Sequence, residues 1–282
     1  MKVVDAMTPR EDVVTVSLPG TREDVLTYLQ EREFTSVPVV KETDAGEEYR
    51  GLISRGDLIA DPDEDQLALL MREVPTVEDD ASLTDVARLM VSERARRVPV
   101  VHGGELAGIV TVTDVVRAIA EGDEDGDSPV GELARRDVNA TFEATPLTVA
   151  EREIAFAQVP YAVVLDDEAE MSGIVTEADV IDVARVVEGE EALGNSLADE
   201  DDGWKWESIK GTGNRYLPTR NVELPAEPVS AFMTENPETV PGRRTAREAA
   251  QRMLELDVEQ LPLVDGNELV GIVRDVDLLS AL

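Results

Sequence analysis

One phrase occurs four times in this chain and limits what the chain can fold into more than any other feature. It reads Gly51-Leu52-Ile53-Ser54-Arg55-Gly56-Asp57, Gly108-Ile109-Val110-Thr111-Val112-Thr113-Asp114, Gly173-Ile174-Val175-Thr176-Glu177-Ala178-Asp179 and Gly271-Ile272-Val273-Arg274-Asp275-Val276-Asp277. By subtraction the glycines stand 57, 65 and 98 positions apart. Two earlier landmarks keep the same phase. The first is an opening, Asp5-Ala6-Met7-Thr8-Pro9 or Ala231-Phe232-Met233-Thr234. The second is a strand-like run, Val37-Pro38-Val39-Val40, Val98-Pro99-Val100-Val101 or Leu261-Pro262-Leu263-Val264. Three landmarks in register identify internal repeats, each too small to bury its own apolar face without a neighbour.

Between opening and strand lies a helical pattern, with apolar Leu83, Val86, Ala87 and Met90, or Ala246, Ala249, Ala250 and Met253, at i, i+3, i+4, i+7 spacing. A second helix is expected from Thr111 through Ala120, with Val115, Val116, Ile119 and Ala120 on its apolar side. Each repeat therefore reads β-α-β-β-α, an α/β chain built of α+β repeats. The expected units are 1–60, 66–121, 129–188 and 227–282, with an insertion at 189–226 that accounts for the long third interval. The third repeat diverges most, with Leu133 at its opening and Pro160-Tyr161-Ala162-Val163-Val164 out of step with the other prolines.

A Ser or Thr three residues before an Asp at a helix start has two readings. One is structural: an N-cap hydroxyl with a carboxylate near the positive end of the helix dipole. The other uses the same geometry for a ligand. Free N–H groups at a helix start can hold a phosphate, and an ionised Asp offers two acceptor oxygens to a vicinal ribose diol. The fourth phrase keeps Asp277 but has Arg274 in place of the hydroxyl, and a guanidinium cannot accept the capping hydrogen bond. Arg274 is open to a phosphate or to an ion pair with Asp275 or Asp277. Arg96 and Arg97 precede the second Val-Pro strand, where alternation sends one toward the cleft, and either a phosphate or Glu93 is a candidate partner.

These motifs resemble the cystathionine β-synthase (CBS) domain, whose tandem pair forms a Bateman module, over nearly the whole chain. The resemblance implies four CBS repeats in two modules, repeats 1 with 2 and 3 with 4, arranged as a disc. It implies adenosyl-ligand contacts, to ribose and phosphate, by Ser54 with Asp57, Thr111 with Asp114, and Thr176 with Asp179; Asp277 is the fourth equivalent. The adenine end falls to the first strand, at Thr15, Thr76, Thr141 and Thr239, and to the Pro-containing strand, at Val37 and Pro38, Val98 and Pro99, and Leu261 and Pro262. Overall the chain looks similar to the nucleotide-sensing gamma subunit of AMP-activated protein kinase and its archaeal relatives. That implies a non-catalytic sensor of AMP, ADP or ATP that signals to a protein partner. S-adenosylmethionine or methylthioadenosine is the second ligand class, and a scaffold or homodimer with unused clefts is a different class altogether.

Composition bounds the rest. With 61 Asp or Glu against 26 Lys or Arg the formal charge is -35, and only four of the cations are lysine. Such a balance is expected of a salt-adapted, haloarchaeal type of cytoplasmic protein, and it weighs against nucleic-acid partners. There is no cysteine and a single histidine, His102, in a turn, which excludes cysteine metal sites and leaves no metal requirement to expect. Asp166-Asp167 reads as a solvated turn, so no enzyme activity is expected, and no apolar run reaches membrane-spanning length. The insertion begins acidic and then gathers Trp204, Trp206, Lys205, Lys210, Arg215, Tyr216 and Arg220 within 203–221. It reads either as a lid or docking strip or as a strap covering apolar surface.

Overall fold

The computed structural model describes residues 1–31, 36–44, 46–54, 57, 64–183, 185–188, 220–266 and 268–282. Repeat 1 comprises β1 (Thr8–Pro9), β2 (Val16–Leu18), α1 (Arg22–Glu31), β3 (Ser36–Thr43) and β4 (Gly46–Ser54). Repeat 2 comprises α2 (Leu67–Leu70), α3 (Leu83–Glu93), β5 (Arg97–His102), β6 (Glu105–Thr111) and α4 (Val112–Glu121). Repeat 3 comprises α5 (Val130–Leu133), β7 (Ala140–Phe142), α6 (Leu147–Ala157), β8 (Tyr161–Leu165), β9 (Met171–Thr176) and α7 (Glu177–Val183). Then β10 (Arg185–Glu188) pairs antiparallel with β11 (Arg220–Glu223), so the two ends of the insertion meet in a short ladder. Repeat 4 follows with β12 (Thr234–Glu235), β13 (Val240–Pro241), α8 (Ala246–Leu256), β14 (Gln260–Asp265), β15 (Glu268–Arg274) and α9 (Asp275–Leu278). The tryptophans and most of the basic residues of the insertion lie outside the described residues.

Every repeat uses one sheet plan. The first strand runs parallel to the second, and the second runs antiparallel to the strand carrying the glycine phrase. In repeat 2 the first strand shrinks to a parallel bridge, Val77 to Val100. The hairpin is irregular at one equivalent place in each repeat, between Val39 and Val40, Val100 and Val101, Val164 and Leu165, and Leu263 and Val264. That register resolves the divergent third repeat. Pro38, Pro99 and Pro262 face Leu52, Ile109 and Ile272, while Val163 faces Ile174. Val163 thus occupies the proline position, and Pro160 lies before the strand.

The openings are exchanged between repeats. Thr8 of repeat 1 pairs with Ile109 of repeat 2, and Arg72, at the opening of repeat 2, bridges to Leu52 of repeat 1. Likewise Thr234 of repeat 4 pairs with Ile174 of repeat 3, and Arg135 of repeat 3 bridges to Ile272 of repeat 4. This exchange explains the phrase glycine. A Cβ at Gly51 would sit 2.8 Å from the Arg72 carbonyl oxygen, one at Gly173 2.8 Å from that of Thr234, and one at Gly271 2.5 Å from that of Arg135. At Gly108 the Thr8 carbonyl presses equally close. Only a residue without a side chain lets the exchanged backbone lie so near the sheet.

The chain divides into two compact units, Met1–Arg136 with Glu238–Leu282, and Asp137–Pro237. Within the first, repeats 2 and 4 share one core, where Val115, Val116 and Ile119 of α4 join Ala249, Ala250 and Met253 of α8. Each large aliphatic side chain buried there contributes about 1.5–3 kcal/mol. Repeat 1 has its own cluster of Val16, Val25, Val37, Val39 and Ile53, closed by Leu67 and Leu70 of α2. In the second unit, Leu147, Ile154, Ala162, Val164 and Val175 of repeat 3 pack with Val229 from the opening of repeat 4. The exchange pairs 1 with 2 and 3 with 4, as expected for Bateman modules. The shared core of repeats 2 and 4 is an addition that no periodicity announced.

Candidate functional site

In three of the four repeats the phrase builds one local object at the strand-to-helix junction. The Asp carboxylate turns back on the residue three before it, and its Oδ2 accepts that residue's backbone N–H and its hydroxyl. The two distances are 2.9 and 2.5 Å for Ser54 with Asp57, 2.8 and 2.7 Å for Thr111 with Asp114, and 2.8 and 2.8 Å for Thr176 with Asp179. The hydroxyl in turn accepts from the Asp backbone N–H at 3.3 or 3.4 Å. The capping reading is therefore realised, and it fixes the carboxylate. Asp57, Asp114 and Asp277 are all buried, at 7, 8 and 8% exposure. Holding Oδ2 in this way orients Oδ1 as a further acceptor, which meets Arg72 at Asp57, Arg117 at Asp114 and Arg274 at Asp277.

The fourth repeat reaches the same carboxylate position by other means. Asp277 Oδ2 accepts from the Arg274 backbone N–H at 3.0 Å and from its Nε at 2.9 Å, and Oδ1 accepts from its Nη2 at 2.8 Å. Of the two openings left to Arg274 by the sequence, the ion pair with Asp277 is the one formed.

Alternation predicts that Arg96 and Arg97 diverge, but both line one cavity and they differ instead in their partners. Arg96 makes two hydrogen bonds to Asp275, at 3.2 and 2.7 Å, and an ion pair with Glu259 at 3.0 Å. Burial works against its charge, but the Asp275 carboxylate more than offsets this and holds the guanidinium above its ordinary value. Arg96 thus ties repeat 2 to repeat 4, rather than to Glu93. Arg97 has the opposite balance: burial, and then the neighbouring Arg96, pull it below its ordinary value.

Arg96 and Arg97 line a cavity of about 270 Å³ with Ser36, Leu52, Ser54, Val74 and Ala95, at the junction of repeats 1 and 2. The Ser36 hydroxyl oxygen is buried, with no hydrogen-bond partner among the described residues. A larger hollow of about 580 Å³, bordered by Arg136, Arg243, Leu263, Asp265 and Val270, opens at the other end of β14 from Arg274 and Asp277. Its lining takes in Leu263 and Val264 of the strand landmark but none of the Ser, Thr, Asp or Arg candidates of the recurring phrase.

The remaining candidates are placed as follows. Val37, Pro38, Val98, Pro99, Leu261 and Pro262 are all buried in their sheets. Thr141 is buried, its hydroxyl without a partner. Thr15 accepts a 3.0 Å bond from Arg10, Thr76 is exposed, and Thr239 is half-buried beside β13. His102 lies 3.4 Å from Asp79 and 3.8 Å from Glu78, all three on the surface. Asp166 accepts the backbone N–H groups of Glu168 and Glu170 and so builds its turn.

Two residues of the site escape sequence reading. Arg72 pairs with Asp57, and Arg135 Nε donates to Asp277 Oδ1 at 3.2 Å. Their only trace is the residue at one position of each opening: threonine after Met7 and Met233, but arginine after Met71 and Ala134.

Four repeats on one sheet plan, which exchange openings and hold an Asp by the residue three before it, define a class of paired-repeat protein. The CBS domain model matches residues 3–62, 67–121 and 229–282, more than half of the chain, and the chain belongs to that family. The third repeat falls outside the match. An uncharacterized conserved protein of Pyrococcus horikoshii has a similar solved structure, with a TM-score of 0.70 at 26% identity over 99% of both chains. Protein MJ1225 of Methanocaldococcus jannaschii, described as a candidate archaeal homolog of g-AMPK, aligns with a TM-score of 0.67 over 99% of both chains, at 19% identity. Among curated relatives, the uncharacterized protein MJ1404 of the same organism is 26% identical over 271 residues, 96% of this chain and 59% of that protein. The chain thus spans about three fifths of that relative's length. Among the described residues, no helix is long and apolar enough to cross a membrane.

Proposed function

We propose that this chain is a non-catalytic regulatory module that binds an adenine nucleotide, AMP, ADP or ATP, in the clefts between its paired CBS repeats. The observation that carries the reading is the recurring Asp, whose Oδ2 is fixed by donors three residues before it, with acceptor capacity left over for a ribose diol most clearly at Asp179 and Asp114. The cavity lined by Arg96 and Arg97 supports it, with the Ser36 hydroxyl buried beside them and without a hydrogen-bond partner among the described residues. A phosphate at that cavity would have guanidinium donors within its lining. The partnerless Thr141 hydroxyl supplies the matching feature in repeat 3, at the first strand, where the family places the adenine. The four repeats, with the boundaries expected from the sequence, are the binding units. Occupancy stabilises one relative orientation of paired repeats and so alters a surface read by a protein partner. S-adenosylmethionine remains the competing ligand, since the diol-binding groups serve both and only the phosphate separates them.

Calorimetric titration in about 2 M KCl, with AMP, ADP, ATP and S-adenosylmethionine in turn, tests this. Saturable binding of a nucleotide that is weakened at least tenfold in both Asp114→Ala and Asp179→Ala is the expected result. Tight S-adenosylmethionine binding with no nucleotide binding would transfer the site to a sulfonium ligand. Folded protein that binds none of the four would leave a scaffold as the function.

A further inference from the structure

The four Asp carboxylates differ in how much acceptor capacity the protein itself consumes. A carboxylate offers about four lone-pair positions. At Asp179 the described residues take two of them, through the Thr176 N–H and hydroxyl, both on Oδ2. Asp114 has the same two donors and one more, Arg117 at 3.0 Å, three residues along the same helix and half exposed. Arg72 and Arg135 are exposed to a similar degree, but Arg117 rides on the same helix as its Asp, a pairing of small worth, and not on an exchanged segment. At Asp57 the third donor is Arg72, which comes from the exchanged opening and is anchored there by two backbone hydrogen bonds of 2.9 Å to Leu52. At Asp277 all four positions are taken, three by Arg274 and one by Arg135, whose backbone is anchored to Ile272 at 2.8 and 3.0 Å.

Arg72 and Arg135 hold one structural position. Arg72 lies opposite Leu52 and Arg135 opposite Ile272, as Thr8 lies opposite Ile109 and Thr234 opposite Ile174. Where that position is threonine, the neighbouring Asp receives nothing from the exchanged segment. Where it is arginine, the guanidinium sits on the carboxylate.

We propose that Arg72 and Arg135 are built-in occupants of the diol-accepting carboxylates, so that a nucleoside is taken up at Asp114 and Asp179 and refused at Asp57 and Asp277. The assignment rests on the nucleotide reading above. Each pair of repeats that exchanges openings then holds one open and one closed carboxylate. The Asp57 cleft keeps its cationic cavity but lacks the acceptor for a ribose. The position after the landmark in each opening sets the number of ligands a chain binds.

The test is binding stoichiometry, with AMP as the probe, on the whole chain. Wild type is expected to bind two AMP per chain. Arg72→Thr, which installs the residue found at the equivalent positions 8 and 234, is expected to bind three, and the third site is lost again in Arg72→Thr with Asp57→Asn. Arg135→Thr alone leaves Arg274 on Asp277 and adds nothing, whereas Arg135→Thr with Arg274→Thr opens the fourth carboxylate. The reciprocal change, Thr8→Arg, reduces wild-type stoichiometry from two to one and guards against a misfolded Arg72 variant. Stoichiometry that stays at two in both Arg72→Thr and Thr8→Arg overturns the arginine assignment while leaving nucleotide binding intact. No AMP binding by any of these proteins, each shown to be folded, overturns the nucleotide reading itself.

Discussion

In the first three phrases the hydroxyl and carboxylate hold one another, and a substitution at a single residue measures what that is worth to the fold. Thr111 caps α4 through its Oγ1 and the Asp114 backbone N–H. Thr111→Ala should therefore destabilise by about 1 kcal/mol, the usual cost of a lost cap, whereas Thr111→Ser should leave stability nearly unchanged. Chemical denaturation of the three proteins measures the difference, and equal midpoints would mean that the capping bond does not form. A second residue-scale effect is pH-dependent. Arg10 grips Glu47 through two hydrogen bonds of 2.6 Å, and this bond holds the Glu47 carboxyl below the ordinary carboxylate value. A carboxyl lowered on folding contributes stability above its unfolded pKa and loses it as pH falls through the folded value. Wild type should melt higher than Glu47→Gln near neutral pH, and the two curves should converge as pH drops below the ordinary carboxylate range. A gap that persists in acid would contradict the pairing.

At the scale of elements, the exchanged openings are what turn single repeats into pairs, and the phrase glycine is the contact that admits them. Gly108→Ala brings a methyl group against the Thr8 carbonyl and within 2.8 Å of Met7 Sδ. The thioether can move aside, but the backbone carbonyl belongs to a strand paired with β6 and cannot do so freely. A loss of about 1–3 kcal/mol is expected, the range for overpacking a close contact. Gly104, in the β5–β6 turn, has open space around its Cβ position but a φ of +94°, so alanine there is strained for a different reason. Thermal melts of the two alanine variants, together with proteolysis of the 1–9 segment, distinguish them. Only Gly108→Ala should release the opening to protease. Release in both, or in neither, would remove the link between the glycine and the exchange.

For the molecule as a whole, the governing quantity is the charge of -35. Like charges dispersed over the surface repel in the folded state, and salt shortens the reach of that repulsion from about 10 Å at 0.1 M to about 3 Å at 1 M. The melting temperature should rise steeply with KCl through this range and continue to rise more slowly above it. A melting temperature independent of salt would show that local pairing, as at Arg252 with Glu238 and Glu255, already neutralises the surface. The link between repeats 2 and 4 belongs to this scale too. Arg96 satisfies Asp275, which is only 6% exposed, and it does so across 179 positions of sequence.

The sequence by itself determined the repeat, the order of strands and helices, the apolar faces of α3, α4 and α8, and the hydroxyl–carboxylate pairs at three junctions. All of these are local: helical periodicity, strand alternation and a cap three residues long are complete within a short window. Tertiary structure alone decided what depends on distant segments meeting. The register with β9 put Val163, not Pro160, in the proline position. The partner of Arg96 proved to be Asp275 of another repeat, because α9 and β5 come together only in the shared core of repeats 2 and 4. The arginines that cover Asp57 and Asp277 were illegible for the same reason. Nothing near residue 72 or 135 in sequence marks them as neighbours of those carboxylates, and only the exchange of openings brings a guanidinium and a capped Asp within reach of each other.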